Sequence, residues 1–216
     1  MSVRVKICGN TNLADADCAV RAGADALGFI FYAKSPRFMQ ADTVRAIVDA
    51  LPQGIRKVGI FVNEPAALVR DIAAAAALTS VQLAGSESPE QCAELARDFE
   101  VLKVFHVGPG FDSELLRAYE VAAFLFDTPS PIHGGSGKTF DWSLLRGVRE
   151  QLQGRTPFYL AGGLSPENVA DAIAQVEPDG VDVCSGVERA PGCKDHEKIR
   201  AFISAAQAVA LGRGPQ

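Results

Sequence analysis

Eight apolar, β-branched runs alternate with Ala-rich stretches of helical periodicity along the 216-residue chain, strand first. Two of the connections that follow strands are unusually long, and no Pro-, Gly- or Ser-rich linker divides the sequence. Strict alternation of strand and helix implies a parallel sheet, and eight such units are the number that closes on itself. The predicted fold is α/β, a single-domain (β/α)8 TIM barrel over residues 1–210, with 211–216 expected as a frayed tail. An open doubly wound sheet is the other arrangement that the alternation permits.

Strands are expected at 3–8, 25–31, 55–62, 79–83, 101–106, 121–126, 157–161 and 179–183, each a short run apolar on both faces. Helices are expected between them at 12–22, 42–51, 65–77, 89–98, 112–119, 141–151 and 166–176, with an eighth at 195–209. Thr11 is placed to cap the first helix, and Leu68, Ile72 and Ala75-Ala76 give the third one apolar stripe. Ser88-Pro89 and Ser165-Pro166 put Pro in the first turn of the fourth and seventh, and Asp141 caps the sixth.

Composition narrows the function. Hydrophobic residues at 48% and charged residues at 22% describe an ordinary globular domain with ample core. A net charge of −5, without a run of Lys or Arg, argues against nucleic acid as a partner. The five cysteines (Cys8, Cys18, Cys92, Cys184 and Cys193) are odd in number and form no C-x-x-C pair, and the first residues lack a secretory apolar segment. A reducing, cytoplasmic setting is expected. His106, His133 and His196 are scattered, so no metal is expected, and no apolar run approaches the roughly 18–20 residues of a membrane span. The expected partner is a small molecule, and oligomeric state is left open.

In such barrels the chemistry sits where the strands end. Cys8 ends the first strand and Asp127 follows the sixth, so a base and an acid would share one mouth. The plainer readings are a small core Cys and a capping or loop Asp. Strand alternation puts Lys6 on the same side as Cys8, where it either favours the thiolate or sits in a buried ion pair. The long connections, 32–41 and 127–140, belong to the same face.

Gly162-Gly163 follows the seventh strand and Ser185-Gly186 the eighth, in the ordinal place where barrels of this kind bind phosphate through backbone N–H groups. A phosphorylated ligand is expected. Gly134-Gly135-Ser136-Gly137-Lys138-Thr139 fails the nucleotide P-loop template, because Ile132 stands where its first glycine belongs. It reads either as a lid with glycine hinges or as a plain surface loop. The planar fork of Arg37 suits a carboxylate, although most arginines merely face solvent.

Several strings resemble the phosphoribosylanthranilate isomerase family of tryptophan biosynthesis. They are Lys6-Ile7-Cys8-Gly9, Gly28-Phe29-Ile30-Phe31 with Ser35-Pro36-Arg37, Gly59-Ile60-Phe61-Val62-Asn63, Val81-Gln82-Leu83 and Asp127. They continue through Gly134-Gly135-Ser136-Gly137 with Phe140-Asp141-Trp142, Leu160-Ala161-Gly162-Gly163-Leu164, Asp182-Val183-Cys184-Ser185-Gly186-Val187-Glu188 and Gly192-Cys193-Lys194-Asp195. The resemblance implies an Amadori rearrangement of N-(5′-phosphoribosyl)anthranilate to 1-(2-carboxyphenylamino)-1-deoxyribulose 5-phosphate. It also implies Cys8 and Asp127 as catalytic residues, Arg37 as the contact to anthranilate and Asp182 as lining the site. Gly162, Gly163, Ser185 and Gly186 would hold the phosphate.

The family usually reads Gln-Leu-His-Gly after the fourth strand, whereas this chain has Gln82-Leu83-Ala84-Gly85. A pocket roomier at that wall, with the acid and base unaffected, is expected. The implied reaction needs Asp127 protonated, although only about one Asp in a thousand is so at pH 7. Burial or a nearby anion would have to raise its pKa by roughly two to three units. It needs no redox or metal cofactor, because the imine intermediate is the electron sink.

Other readings make different demands. A Schiff-base lyase would use Lys103, and indole-glycerol-phosphate synthase chemistry is also lysine-centred. A barrel that only binds a phosphorylated metabolite is favoured solely by Ala84. Use of a histidine-pathway aminoaldose is left open.

Overall fold

The computed structural model describes residues 3–129 and 139–212. Eight parallel strands close a barrel in sequence order: β1 (Arg4–Ile7), β2 (Ala26–Ile30), β3 (Arg56–Phe61), β4 (Ser80–Leu83), β5 (Glu100–His106), β6 (Ala123–Asp127), β7 (Phe158–Leu160) and β8 (Gly180–Val183). The first and last strands pair through Lys6 with Asp182 and Ile7 with Val183, which closes the cylinder and excludes the open sheet. An outer layer of helices comprises α1 (Leu13–Ala22), α2 (Ala41–Ala50), α3 (Ala66–Ala75), α4 (Pro89–Leu95), α5 (Val148–Gln151), α6 (Val169–Val176) and α7 (His196–Gly212). A small antiparallel pair, β9 (Glu188–Ala190) and β10 (Cys193–Lys194), follows β8.

Alternation along each strand sorts the core into two parts. Val5, Ile7, Val181 and Val183 point outward beneath the helices, while Ile60, Val62, Leu102, Val104, Leu125 and Tyr159 fill the barrel. Gly180 lets the Tyr159 ring lie over it, where any Cβ would collide. The same alternation delivers Lys6, Cys8, Asp127 and Asp182 to the interior or its rim.

Several helix expectations need correction. Asn12, not Thr11, caps α1 by accepting from the Asp15 N–H at 2.9 Å, because Thr11 instead donates to the Gly192 carbonyl at 2.5 Å. In α3 the buried residues are Val69 and Ala73, followed by Ala76 as expected, and Leu68 is 41% exposed. Both sets have helical spacing in a segment apolar nearly all round, so periodicity could not choose between them.

The expected fifth helix is a 3-10 turn, Ser113–Ala118, capped by Asp112. The sixth is a 3-10 turn, Trp142–Leu145, separated from α5 by Gly147 at φ +82°. Pro89 opens α4, with Ser88 as its cap, and Asp141 caps as expected. Pro166, however, lies in a turn ahead of α6, held by the Ser165 N–H donating to the Asn168 side chain at 2.8 Å. Finally, α7 runs to Gly212, two residues into the expected tail, and 213–216 lie outside the described residues.

Where the helices shrink to turns, aromatic rings cover the outside of β5–β7. Phe105 meets Tyr119 edge-on at 5.2 Å and Phe124 at 5.9 Å, while Phe126 meets Phe111 at 5.9 Å and Phe158 at 5.6 Å. Each such pair adds roughly 0.5–1.5 kcal/mol beyond the area it buries. The wall carrying Asp127 is thereby held without a full helix behind it.

Candidate active site

The C-terminal ends of the strands surround a cleft of about 670 Å³, counting space open to solvent, lined by Cys8, Tyr32, Arg37, Ala84, His106, Asp127, Asp182 and Cys184 among others. A second hollow of about 340 Å³ adjoins it and shares Asp127, Asp182 and Cys184; its remaining wall is Gly162, Gly163, Ser185, Gly186 and their neighbours. All eight residues singled out from the sequence therefore lie at one mouth.

Cys8 is buried at the end of β1, with its N–H donating to the Val183 carbonyl at 2.8 Å. Gly28 makes room for it, because a Cβ there would stand 2.8 Å from the Cys8 sulfur. Lys6, fully buried, donates to Asp182 Oδ1 at 2.7 Å. Burial disfavours its ammonium, yet Asp182 and then Cys8 outweigh that and hold its pKa above the ordinary lysine value. Both readings of Lys6 thus hold together: a buried ion pair whose charge also acts on the thiol.

Asp127 keeps an accessible edge toward the cleft but is nearly enclosed by surrounding atoms. Burial pushes its pKa up to about 7. The Thr128 N–H, donating to Oδ1 at 2.7 Å, opposes that rise, and the charges of Asp182 and Cys184 add to it. The group is poised to hold a proton near neutrality, as an acid for ring opening must.

Arg37 is not the exposed fork that a loop position suggests. It is buried, and its Nε and Nη2 donate to the two carboxylate oxygens of Glu188 at 2.8 and 2.6 Å. That hydrogen-bonded pair, against the cost of burial, raises the arginine's pKa. Two of its N–H groups are thereby used, which leaves the rest of the fork for a ligand. Glu188 also accepts from Lys194 at 3.0 Å, and although burial works against its charge, Arg37 and Lys194 hold its pKa below the usual carboxylate range. Lys194 further donates to the carbonyls of Cys8 at 2.5 Å and Cys184 at 3.1 Å.

The smaller hollow is walled in part by three glycines, Gly162, Gly163 and Gly186. Gly162 and Gly163 have φ of +83° and +64°, a region open to glycine at little cost. A Cβ on Gly162 would strike Thr128, and one on Gly186 would strike the Leu164 carbonyl, so the loop after β7 fits between its neighbours after β6 and β8 only with glycine at these two positions.

Sequence reasoning missed four residues here: His106, Cys184, Glu188 and Lys194. The signal for the first two was strand parity, since His106 shares the inward side of β5 with Leu102 and Val104, and Cys184 continues the inward side of Asp182. Parity also corrects Lys103. It lies on the outward side of β5, buried, donating to Glu87 at 2.8 Å and to the Gly85 carbonyl at 2.7 Å, and it lines neither hollow. A lyase centred on Lys103 has no amine at the mouth. Gly134–Lys138, read as lid or surface loop, lie outside the described residues.

Among the described residues no group of three or more His, Cys, Asp or Glu is placed to hold a metal ion, and no helix is long and apolar enough to cross a membrane.

A family model described as N-(5′-phosphoribosyl)anthranilate (PRA) isomerase matches residues 5–205. The N-(5′-phosphoribosyl)anthranilate isomerase of Pelobacter propionicus is 47% identical over 206 residues, covering 95% of this chain and 96% of that protein. The crystal structure of phosphoribosylanthranilate isomerase from Thermotoga maritima superposes with a TM-score of 0.84 at 44% identity, over 95% of this chain and 99% of that one. A further such isomerase, solved with reduced 1-(o-carboxyphenylamino)-1-deoxyribulose 5-phosphate, superposes with a TM-score of 0.83 at 40% identity over the same shares. With its closed barrel and its mouth of thiol, carboxyl and glycine loops, this chain belongs to the N-(5′-phosphoribosyl)anthranilate isomerase family.

Proposed function

We propose that the protein converts N-(5′-phosphoribosyl)anthranilate to 1-(2-carboxyphenylamino)-1-deoxyribulose 5-phosphate in tryptophan biosynthesis, acting in the reducing cytoplasm that its cysteines suggest. The observation that carries this reading is a carboxyl with its pKa near 7 and a buried thiol lining one cleft, beside a glycine-lined hollow.

The substrate's phosphate enters the hollow between Gly162-Gly163 and Ser185-Gly186, where backbone N–H groups receive it. Its carboxylate meets the free edge of Arg37, which Glu188 holds in place. Asp127 protonates the furanose oxygen, and the ring opens to a protonated imine. Cys8 removes the C2 proton to give the enolamine, which becomes the ketone. Asp182 lines the cleft and anchors Lys6 beneath it. The wall vacated at Ala84 is met from the next strand by the imidazole of His106, which is placed to lie against the aromatic part of the substrate.

Complementation tests the reading: the gene should restore growth without tryptophan to a strain lacking the isomerase, and Asp127→Asn should not. Growth restored equally by Asp127→Asn removes the proposed acid. Failure of the wild-type gene, with the protein folded and expressed, removes the function.

A further inference from the structure

Two sulfurs, not one, stand at the mouth. β1 and β8 are paired neighbours, Ile7 opposite Val183, so Cys8 and Cys184 leave adjacent strands side by side with the same inward parity. Both line the main cleft, and the titration of each is tied to that of the other. Gly9 and Gly28 make space for the pair: a Cβ on either would lie 2.8 Å from the sulfur of Cys184 or Cys8, respectively.

Their surroundings differ in the balance of charge: two cations against one carboxylate at Cys184, one against one at Cys8. Cys184 faces Lys194, whose Nζ is 3.9 Å from its sulfur, and Arg37, with Glu188 as the opposing charge. Cys8 faces Lys6, with the opposing charge of Asp182. Asp127, across the cleft, also feels Cys184 and Asp182.

We propose that Cys184 is the proton-holding partner of Cys8: the two sulfurs share one proton, Cys184 carries the resting negative charge, and it takes the proton of Cys8 as Cys8 receives that of the substrate. Interaction with Cys184 and then burial push the Cys8 thiol well above the ordinary value, so Cys8 alone is a poor source of thiolate at neutral pH. The same interaction, against burial and aided by Lys194 and Arg37, pulls Cys184 down to about 6. As a thiolate Cys184 can relieve Cys8 of its proton at the moment of reaction.

The step balances. The Cys8 S–H bond breaks and its proton passes to the Cys184 sulfur. The C2–H bond of the imine breaks, its proton goes to Cys8, its electron pair forms the C1–C2 double bond, and the imine π pair moves onto nitrogen. The pair then holds one proton more, equal to the one Asp127 gave the ring oxygen, and the enzyme is restored when that proton returns to Asp127. Cys184 acts on the reacting carbon only through Cys8, and is a positioning residue.

The inference deepens the isomerase reading and is tested apart from it. Wild-type protein is treated briefly with iodoacetamide across a range of pH, and the alkylated cysteine is identified by mass spectrometry. At pH about 6–7, Cys184 should react before Cys8. Preferential alkylation of Cys8 there overturns the proposal, and this result does not depend on turnover. In parallel, Cys184→Ser is assayed for phosphoribosylanthranilate isomerisation. The acid limb of its kcat profile should move to higher pH by at least one unit, lowering kcat at the wild-type midpoint by about fivefold or more, with KM little changed. A profile that superposes on wild type contradicts the proton-sharing role. Absence of isomerisation by the wild type defeats the isomerase reading and leaves the alkylation order to judge the thiol pair.

Discussion

At the scale of single residues, the site depends on side chains that alternation turned inward and burial then tuned. As the proposed acid Asp127 has to be protonated, and its pKa is pushed up to about 7, so kcat/KM should fall as pH rises through that value. A profile flat from pH about 6 to 8 would show that no such acid limits the reaction. His106 is the second case. Truncating a ring that lies against an aromatic ligand removes roughly 0.5–1.5 kcal/mol, so His106→Ala should raise KM about 2- to 10-fold with kcat less affected. An unchanged KM would take the imidazole out of the binding wall.

Much of this was legible. Cys8, Asp127 and Asp182 sit at strand ends, and the pocket does include Ala84. His106 and Cys184 were equally legible from period-two counting along β5 and β8, and the same counting would have turned Lys103 outward. Glu188 and Lys194 were different. The ion pair that fixes Arg37 spans 151 positions and passes through the β9–β10 hairpin, a contact that neither spacing nor composition encodes.

At the scale of elements, strands were read more faithfully than helices. A strand buried on both faces announces itself as a short apolar run, whereas a helix end is set by which nearby side chain reaches an N–H first. Asn12 outcompeted Thr11 because Thr11 had a partner at Gly192. The fifth and sixth helices shortened because a brief helix is marginal without packing, and rings rather than helical stripes cover that side. Those rings should therefore matter for stability. Phe126 is fully buried among Phe111, Phe124 and Phe158, and Phe126→Ala should cost about 3–5 kcal/mol in urea unfolding. A loss under about 1 kcal/mol, less than that of an ordinary large-to-small core change, would mean that the cluster is not what holds this wall.

At the scale of the whole molecule, closure of β1 onto β8 brings chemistry from the two ends of the chain together. Lys6 reaches Asp182 across 176 positions, and the same seam sets Cys8 beside Cys184. Removing one partner of a buried pair leaves the other charge uncompensated, so Asp182→Asn should destabilise the fold by about 3–5 kcal/mol, read as a lowered unfolding midpoint. Unchanged stability would mean that solvent reaches Lys6 despite its complete burial.

Closure also makes the proposed division of labour possible: Asp127, the proposed acid, ends β6, Cys8, the proposed base, follows β1, and the glycine loops proposed for the phosphate follow β7 and β8. The most direct test compares turnover of phosphoribosylanthranilate by purified wild type, Cys8→Ser and Asp127→Asn. Each variant, folded and still binding the substrate, is expected to lose about 10²–10⁴-fold in kcat. Either variant turning over at the wild-type rate would contradict an acid and a base acting across one cleft.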